Sequence, residues 1–251
     1  MRTSAARKHR SQRASFWACR HGARPDATVV LVAAAVLPHP PMLVPSLASG
    51  ASPELDELRA RCRDALTTVA AAGADATYLV GLDAGPRSRS FAPWGHDEPV
   101  NVPEPLPLAL LVGAWLTAGT SRSFVGLSDD LEPAQCAELG AELADSAARV
   151  ALVVMGDGSA RLSERGPGYL DQRAPGYDEA VAQALRGADT TALLDLDPGL
   201  ARELLVAGRA PWQLLAGAAA TAGPPVVDNA WHEAAYGVGY HVVTWSWQEN
   251  A

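Results

Sequence analysis

Three side chains that can bind a metal or move a proton directly follow apolar segments of the chain. They are His39 after residues 28–36, Asp83 after 77–82 and Asp157 after 150–155. Prolines on both sides of His39 restrict the backbone and hold the imidazole in one direction, which suits a metal or a proton transfer. A histidine hydrogen-bonded to a carbonyl is the structural alternative. Asp83 and Asp157 could each bind a metal, act as a base or cap a turn, and capping is the commonest role for aspartate there.

A further pair of candidates lies near the end of the chain. His232 and Glu233 precede the last long apolar segment. A carboxylate beside a histidine at this place could close a site that begins at His39. His241 alternates with apolar residues inside that last segment, which favours a packed side chain over a catalytic one.

The elements that must position these residues alternate between strand and helix. Continuous apolar runs typical of buried strands are separated by helical periodicity. The predicted strands are 28–36, 77–82, 123–127, 150–155, the short 225–227 and 238–247. We therefore expect an α/β fold with a mostly parallel central sheet and helices on both faces. Ligands of such sheets bind beyond the carboxyl ends of the strands, so His39, Asp83 and the turn at Gly156 should share a cavity.

Charge divides the chain into two parts. Seven arginines and lysines and no acidic residue occur in positions 1–24, which leaves 13 basic against 28 acidic residues in the remainder. We interpret 1–27 as a disordered basic extension and 28–251 as a single α/β domain. The acidic domain repels phosphate backbones, which argues against nucleic acid as a partner.

Cysteine content and hydropathy point to a cytoplasmic protein. The three cysteines are widely spaced and form no Cys-x-x-Cys motif, which fits a reducing compartment and argues against a disulfide framework. The longest apolar run near the start, 29–37, is too short to span a bilayer, so no membrane association is expected.

Several segments, in order, resemble one enzyme family. Residues 32–41, which end in Pro38, His39, Pro40 and Pro41, resemble the opening strand of the class III extradiol ring-cleavage dioxygenases. Their superfamily also contains the Memo-like proteins. Residues 156–159 resemble the family's Gly-Asp-x-Ser-His segment, and 169–178, 212–218 and 236–240 resemble its later segments. The likeness extends over about 30–247.

The resemblance implies an oxidoreductase that uses Fe(II) to cleave a small aromatic diol. It places the first histidine ligand at His39, the second at Asp83, the carboxylate ligand at Glu233 and a catalytic aspartate at Asp157. The acid–base histidine of the family falls on Ala160. The chain thus departs from the family pattern at two histidines.

These departures leave two functions open. One is a divergent dioxygenase-like enzyme, and the other is a non-catalytic relative that binds a metal, a small ligand or a protein partner. A ligand set with Asp83 is richer in oxygen and favours another divalent metal, such as Mg²⁺, Mn²⁺ or Ca²⁺, over iron. A chain that binds no metal is the other alternative. An alanine at the acid–base position cannot transfer a proton. By analogy with some relatives, a second subunit could complete the site, and the chain could also form a homo-oligomer.

Overall fold

The computed structural model describes residues 30–248, and these form one six-stranded sheet covered by helices. The strands are β1 Val30–Leu37, β2 Ala76–Leu82, β3 Ser123–Leu127, β4 Arg149–Met155, β5 Val226–Ala235 and β6 Val238–Ser246. Their order is β3-β2-β4-β1-β6-β5, with β3, β2, β4 and β1 parallel. β6 is antiparallel to β1 and β5 is antiparallel to β6. The predicted α/β fold with a mostly parallel sheet is confirmed.

Eight α-helices connect or cover the strands within residues 30–248. They are α1 Pro45–Ala48, α2 Asp56–Ala71, α3 Leu108–Leu116, α4 Pro133–Ala144, α5 Ala174–Gly187, α6 Thr190–Leu194, α7 Pro198–Glu203 and α8 Arg209–Ala222. None of these helices combines the length and the apolar character that a membrane crossing requires. The predicted basic extension 1–27 lies outside the described residues.

Side-chain alternation along β1 divides the core into two layers. Ala34 and Val36 belong to the apolar cluster that contains Trp212 of α8. Ala35 and Leu37 belong to the other cluster, on the side of α2 and α3. Because successive strand residues point to opposite faces, a strand that is apolar throughout needs helices on both sides. The structure therefore confirms helices on both faces of the sheet.

Close contact between α4 and α8 depends on small residues. A Cβ atom added at Gly217 would overlap the backbone of Ala137, and one added at Gly140 would overlap the carbonyl oxygen of Leu214. The two helices therefore approach almost backbone to backbone. This contact fixes α8, whose first turn lies beside the carboxyl end of β4 through a hydrogen bond from Gly208 N to Asp157 O of 2.8 Å.

The last two strands differ most from the sequence-based expectation. Residues 225–227 were expected as a short strand, but β5 continues to Ala235 and forms a hairpin with β6. The hairpin turns at Tyr236 and Gly237, whose φ angles of 54° and 78° are left-handed. Two such residues form the tight turn that matches the twist of antiparallel strands. The edge strand is partly exposed and polar, so its sequence looks like a loop.

A 3-10 helix precedes α2. Residues Ser49–Leu55 form a 3-10 helix, and α2 begins at Asp56. The buried Arg59 side chain donates hydrogen bonds to the carbonyl oxygens of Leu43, Met42 and Ser52. These hydrogen bonds provide partners for backbone carbonyl groups in the segment that connects β1 to α2.

Candidate functional site

His39 and Asp157 meet because β1 and β4 are adjacent and parallel. Leu37 and Met155 are partners in the ladder, so the residues two positions further along each strand lie side by side. The backbone N–H of His39 donates to Oδ1 of Asp157 at 2.7 Å, and Nδ1 of His39 lies 3.6 Å from the same oxygen. His39 is only 8% exposed, and its Nδ1 has no hydrogen-bond partner within the described chain.

Burial sets the charge of Asp157. Desolvation raises the pKa of its carboxyl group, and the nearby negative charge of Asp178 raises it further. Interactions with His39 and His241, including the hydrogen bond from the backbone N–H of His39, oppose this shift without cancelling it. The pKa of the neighbouring Cys62 thiol, on α2, is raised to about 12, mainly by burial and also by Asp157. Asp157 therefore favours the neutral acid more than an ordinary aspartate does.

A second group forms around Asp178 of α5. Nε2 of His232 donates to Oδ2 of Asp178 at 2.7 Å, and Nε2 of His241 lies 3.4 Å from Oδ1. The backbone N–H of Ser159 donates to Oδ1 at 3.0 Å. The two histidines are partners across the β5–β6 ladder, and their rings are stacked with centroids 4.6 Å apart and planes within 6°. We call Asp178, His232 and His241 the Asp178 cluster.

Glycines allow the backbone to close around this carboxylate. A Cβ atom at Gly158 or Gly239 would overlap the oxygen atoms of Asp178. The two segments bind each other through Gly158 N to Gly239 O at 2.7 Å and Gly239 N to Ser159 O at 3.0 Å. The turn after β4 and the start of β6 therefore form a wall around Asp178 that only glycine permits at these two positions.

Hydrogen bonds keep Asp178 ionised. Burial alone would raise the pKa of its carboxyl group, but hydrogen bonds from His232, His241 and the Ser159 N–H hold that pKa well below its usual range. The pKa values of Asp178 and Asp157 are thus shifted in opposite directions. The difference arises because Asp178 receives several donors, whereas Asp157 receives one backbone N–H.

Asp83 is directed towards β3 in the structure. Its half-exposed carboxylate, 37% accessible, is bound by Arg87, and its backbone N–H donates to Leu127 O of β3 at 2.8 Å. β4 separates β2 from β1 in the sheet. The expected cavity shared by three strand ends is therefore corrected: His39 and Asp157 meet, and Asp83 faces β3 instead.

Glu233 points away from the Asp178 cluster. It follows His232 on β5, and successive residues of a strand face opposite sides. Glu233 is exposed and lies opposite Tyr240. Among residues 30–248, His39, Asp83 and Glu233 form no group of close ligand atoms, and their role as metal ligands stays a prediction.

A separate pocket lies at the same edge of the sheet, near the ends of β2 and β3. It is lined by Leu82, Asp129, Ala201, Arg202, Val206, Ala207, Arg209 and Ala210. These residues surround the ends of β2 and β3 and the start of α8, and include neither His39 nor Asp157.

The Asp178 cluster contains residues that sequence reasoning did not select. Asp178 lies on a helix, and His241 was interpreted as a packed side chain. His241 is indeed fully buried, but it faces Asp178. The signal that could have revealed the pair was the spacing of His232 and His241 on either side of Tyr236 and Gly237, which places both on one face of a hairpin.

The ligand atoms of the Asp178 cluster all lie within 4.8 Å of one another, so the three residues could hold a metal ion. Comparison with known proteins adds no assignment to this geometry, since no protein-family model matches the chain and no curated protein matches it.

Proposed function

We propose that this protein is a divergent class III extradiol dioxygenase-like protein that binds a small aromatic diol at the carboxyl edge of its sheet and does not cleave it. The observation that carries the proposal is the pairing of Asp83 with Arg87. Asp83 occupies the position that the resemblance assigns to the second histidine ligand of Fe(II). A carboxylate held by a guanidinium two strands from His39 does not complete an iron site with it.

The other positions of the resemblance support the same conclusion. Glu233 is exposed and forms no close group of ligand atoms with His39 within residues 30–248. Ala160 has no group that can transfer a proton. Loss of a general acid–base residue costs about 10²–10⁴-fold in rate. The residues implied by the family therefore do not fit Fe(II).

His39 and Asp157 supply the polar groups for a bound diol. A buried polar atom without a partner costs about 1–3 kcal/mol, and Nδ1 of His39 is such an atom among the described residues. A ligand hydroxyl that donates to Nδ1 would remove this cost. The carboxyl group of Asp157 lies beside His39, and its oxygen atoms can accept a hydrogen bond from a second hydroxyl.

The working compartment that we propose is the cytoplasm. Cys62 and Cys136 are both free thiols and both buried, which is typical of a protein that stays in a reducing environment.

A panel of catechols tests the proposal. Binding is measured by tryptophan fluorescence on metal-free protein, and ring opening is followed by yellow colour after anaerobic loading with Fe(II) and exposure to oxygen. We expect saturable binding without colour. His39→Ala should weaken binding about tenfold or more, because the hydrogen bond to Nδ1 is lost. Asp83→Asn is the matched control and should bind as the wild type does.

Two results would contradict the proposal. One is ring-opened product that disappears in Asp83→Asn, since this would show that Asp83 serves an active iron site. The other is unchanged catechol affinity in a folded His39→Ala variant.

A further inference from the structure

We infer that Asp178, His232 and His241 bind one divalent first-row metal ion, of the class that includes Zn²⁺, Co²⁺ and Fe²⁺, at a site separate from the ligand positions that the family resemblance implies. The inference does not depend on diol binding, because it uses a different set of residues.

The donor set matches this class of ion. Two imidazole nitrogens and one carboxylate oxygen suit zinc, iron and cobalt, whereas calcium and magnesium prefer oxygen ligands alone. Metal–ligand bonds of about 2.0–2.2 Å place the ligand atoms of one ion about 3.3–3.6 Å apart in a tetrahedral site. The distance from Asp178 to His241, 3.4 Å, lies in this range, and the hydrogen-bond distance to His232, 2.7 Å, must lengthen when an ion binds.

Surrounding groups favour a cation at this place. Asp178 is a buried carboxylate, 1% exposed, and the backbone at Gly158 and Gly239 closes around its oxygen atoms. Within residues 30–248, Asp178 forms ion pairs with two histidines, and no arginine or lysine pairs with it. The backbone N–H of Ser159 holds Oδ1 and orients the carboxylate, as outer-shell donors do in metal sites.

The orientation of the two histidine rings must change when a metal ion binds. The stacked rings are nearly parallel, so their in-plane lone pairs do not converge on one point, and metal binding requires at least one ring to tilt. His241 has the weaker hydrogen bonding of the two rings, because its contact with Asp178 is long at 3.4 Å and its Nδ1 has no hydrogen-bond partner among the described residues. His232 has a side chain that is 22% exposed and gives an ion access from solvent.

Cobalt titration of the chelator-treated full chain tests the inference. Co²⁺ bound by mixed nitrogen and oxygen ligands absorbs visible light, and Zn²⁺ should displace it. We expect one Co²⁺ per chain. His232→Gln should weaken binding by more than about 100-fold, since even changes to outer-shell residues cost about 10–100-fold. Asp178→Asn should do the same.

Glu179→Gln is the matched control, because Glu179 is the neighbour of Asp178 on α5 and is exposed. It should bind Co²⁺ as the wild type does. Circular dichroism shows whether each variant is folded, and His232→Gln, at a partly exposed position, keeps the test valid if Asp178→Asn unfolds.

Either of two outcomes would overturn the inference. The first is a folded wild-type chain that takes up neither Co²⁺ nor Zn²⁺. The second is metal binding that survives His232→Gln but is lost in His39→Ala or Asp83→Asn, which would assign the ion to the family positions. Diol binding is measured on metal-free protein, so its failure would leave this result unaffected.

Discussion

Two aspartate-to-asparagine variants should have different effects on the free energy of unfolding at pH 7. Asp178→Asn removes a carboxylate that accepts hydrogen bonds from Ser159 N–H and His232 and has a longer contact with His241. Asp157→Asn removes a partly buried carboxyl group that accepts one backbone N–H from His39. The two changes are chemically identical and differ only in what surrounds the side chain.

The expected loss for Asp178→Asn follows from its two short hydrogen bonds. Hydrogen bonds to a charged group contribute about 1.5–3 kcal/mol each. Asparagine keeps an oxygen that can accept from Ser159 N–H, but its amide group then faces the donor nitrogen of His232. We therefore expect the free energy of unfolding to fall by about 2–4 kcal/mol at pH 7, which is comparable to the cost of breaking a buried charged pair.

Asp157→Asn should be neutral or slightly stabilising at pH 7. The asparagine oxygen can accept the N–H of His39 as the carboxyl oxygen does, and the variant avoids ionising a buried acid. We expect the free energy of unfolding to stay the same or to rise by up to about 1 kcal/mol.

The pH dependence separates the two residues further. Because the folded pKa of Asp178 is lowered, its stabilising contribution is present above the unfolded pKa of about 3.9 and is lost as pH falls through the folded value. The stability gap between wild type and Asp178→Asn should therefore narrow below about pH 4. Asp157 has a raised folded pKa, so its contribution is present at low pH and is lost as pH rises through that value.

Urea unfolding, followed by circular dichroism with a chelator present, measures both effects across the acidic and neutral pH range. The chelator removes any contribution from bound metal. An Asp178→Asn variant as stable as wild type at pH 7, or an Asp157→Asn variant that loses more stability than Asp178→Asn, would refute this account of the two carboxylates.

Two further predictions concern packing and thiol chemistry. Gly217→Ala should lower stability by about 1–3 kcal/mol because the added methyl group forces α4 and α8 apart, whereas Gly176→Ala, where nothing lies within 4 Å, should be neutral or stabilising in a thermal melt. A lower melting temperature for the second variant than for the first would contradict this view of the helix contact. In a Cys19→Ser chain, an alkylating reagent should modify neither Cys62 nor Cys136 before denaturant is added, because burial raises their pKa values to about 12 and about 11. Rapid labelling of the folded chain, read by mass spectrometry, would show that these thiols are accessible.

Part of the candidate site followed from sequence pattern alone. The apolar runs before His39 and Asp157 predict buried strands, and the carboxyl ends of parallel strands meet at one edge. The contact between these two residues agrees with that reasoning. Asp83 also follows a strand, yet strand order along the sheet cannot be read from local pattern, and β4 lies between β2 and β1.

The Asp178 cluster could not be predicted in the same way. Its three members come from a helix and from two strands that pair with each other, and Asp178 and His232 are 54 positions apart along the chain. His232 lies in a polar edge strand whose sequence resembles a loop, so its pairing with His241 was not apparent.

The sequence by itself determined the alternation of elements, the buried character of β1 and β4 and the edge of the sheet where polar side chains gather, because these depend on hydrophobic periodicity over short windows. Tertiary structure decided which polar side chains touch. Hairpin formation by β5 and β6, together with the close approach allowed by Gly158 and Gly239, brings both histidines to Asp178. Such contacts depend on long-range pairing and on the absence of a Cβ atom, and local sequence preference encodes neither.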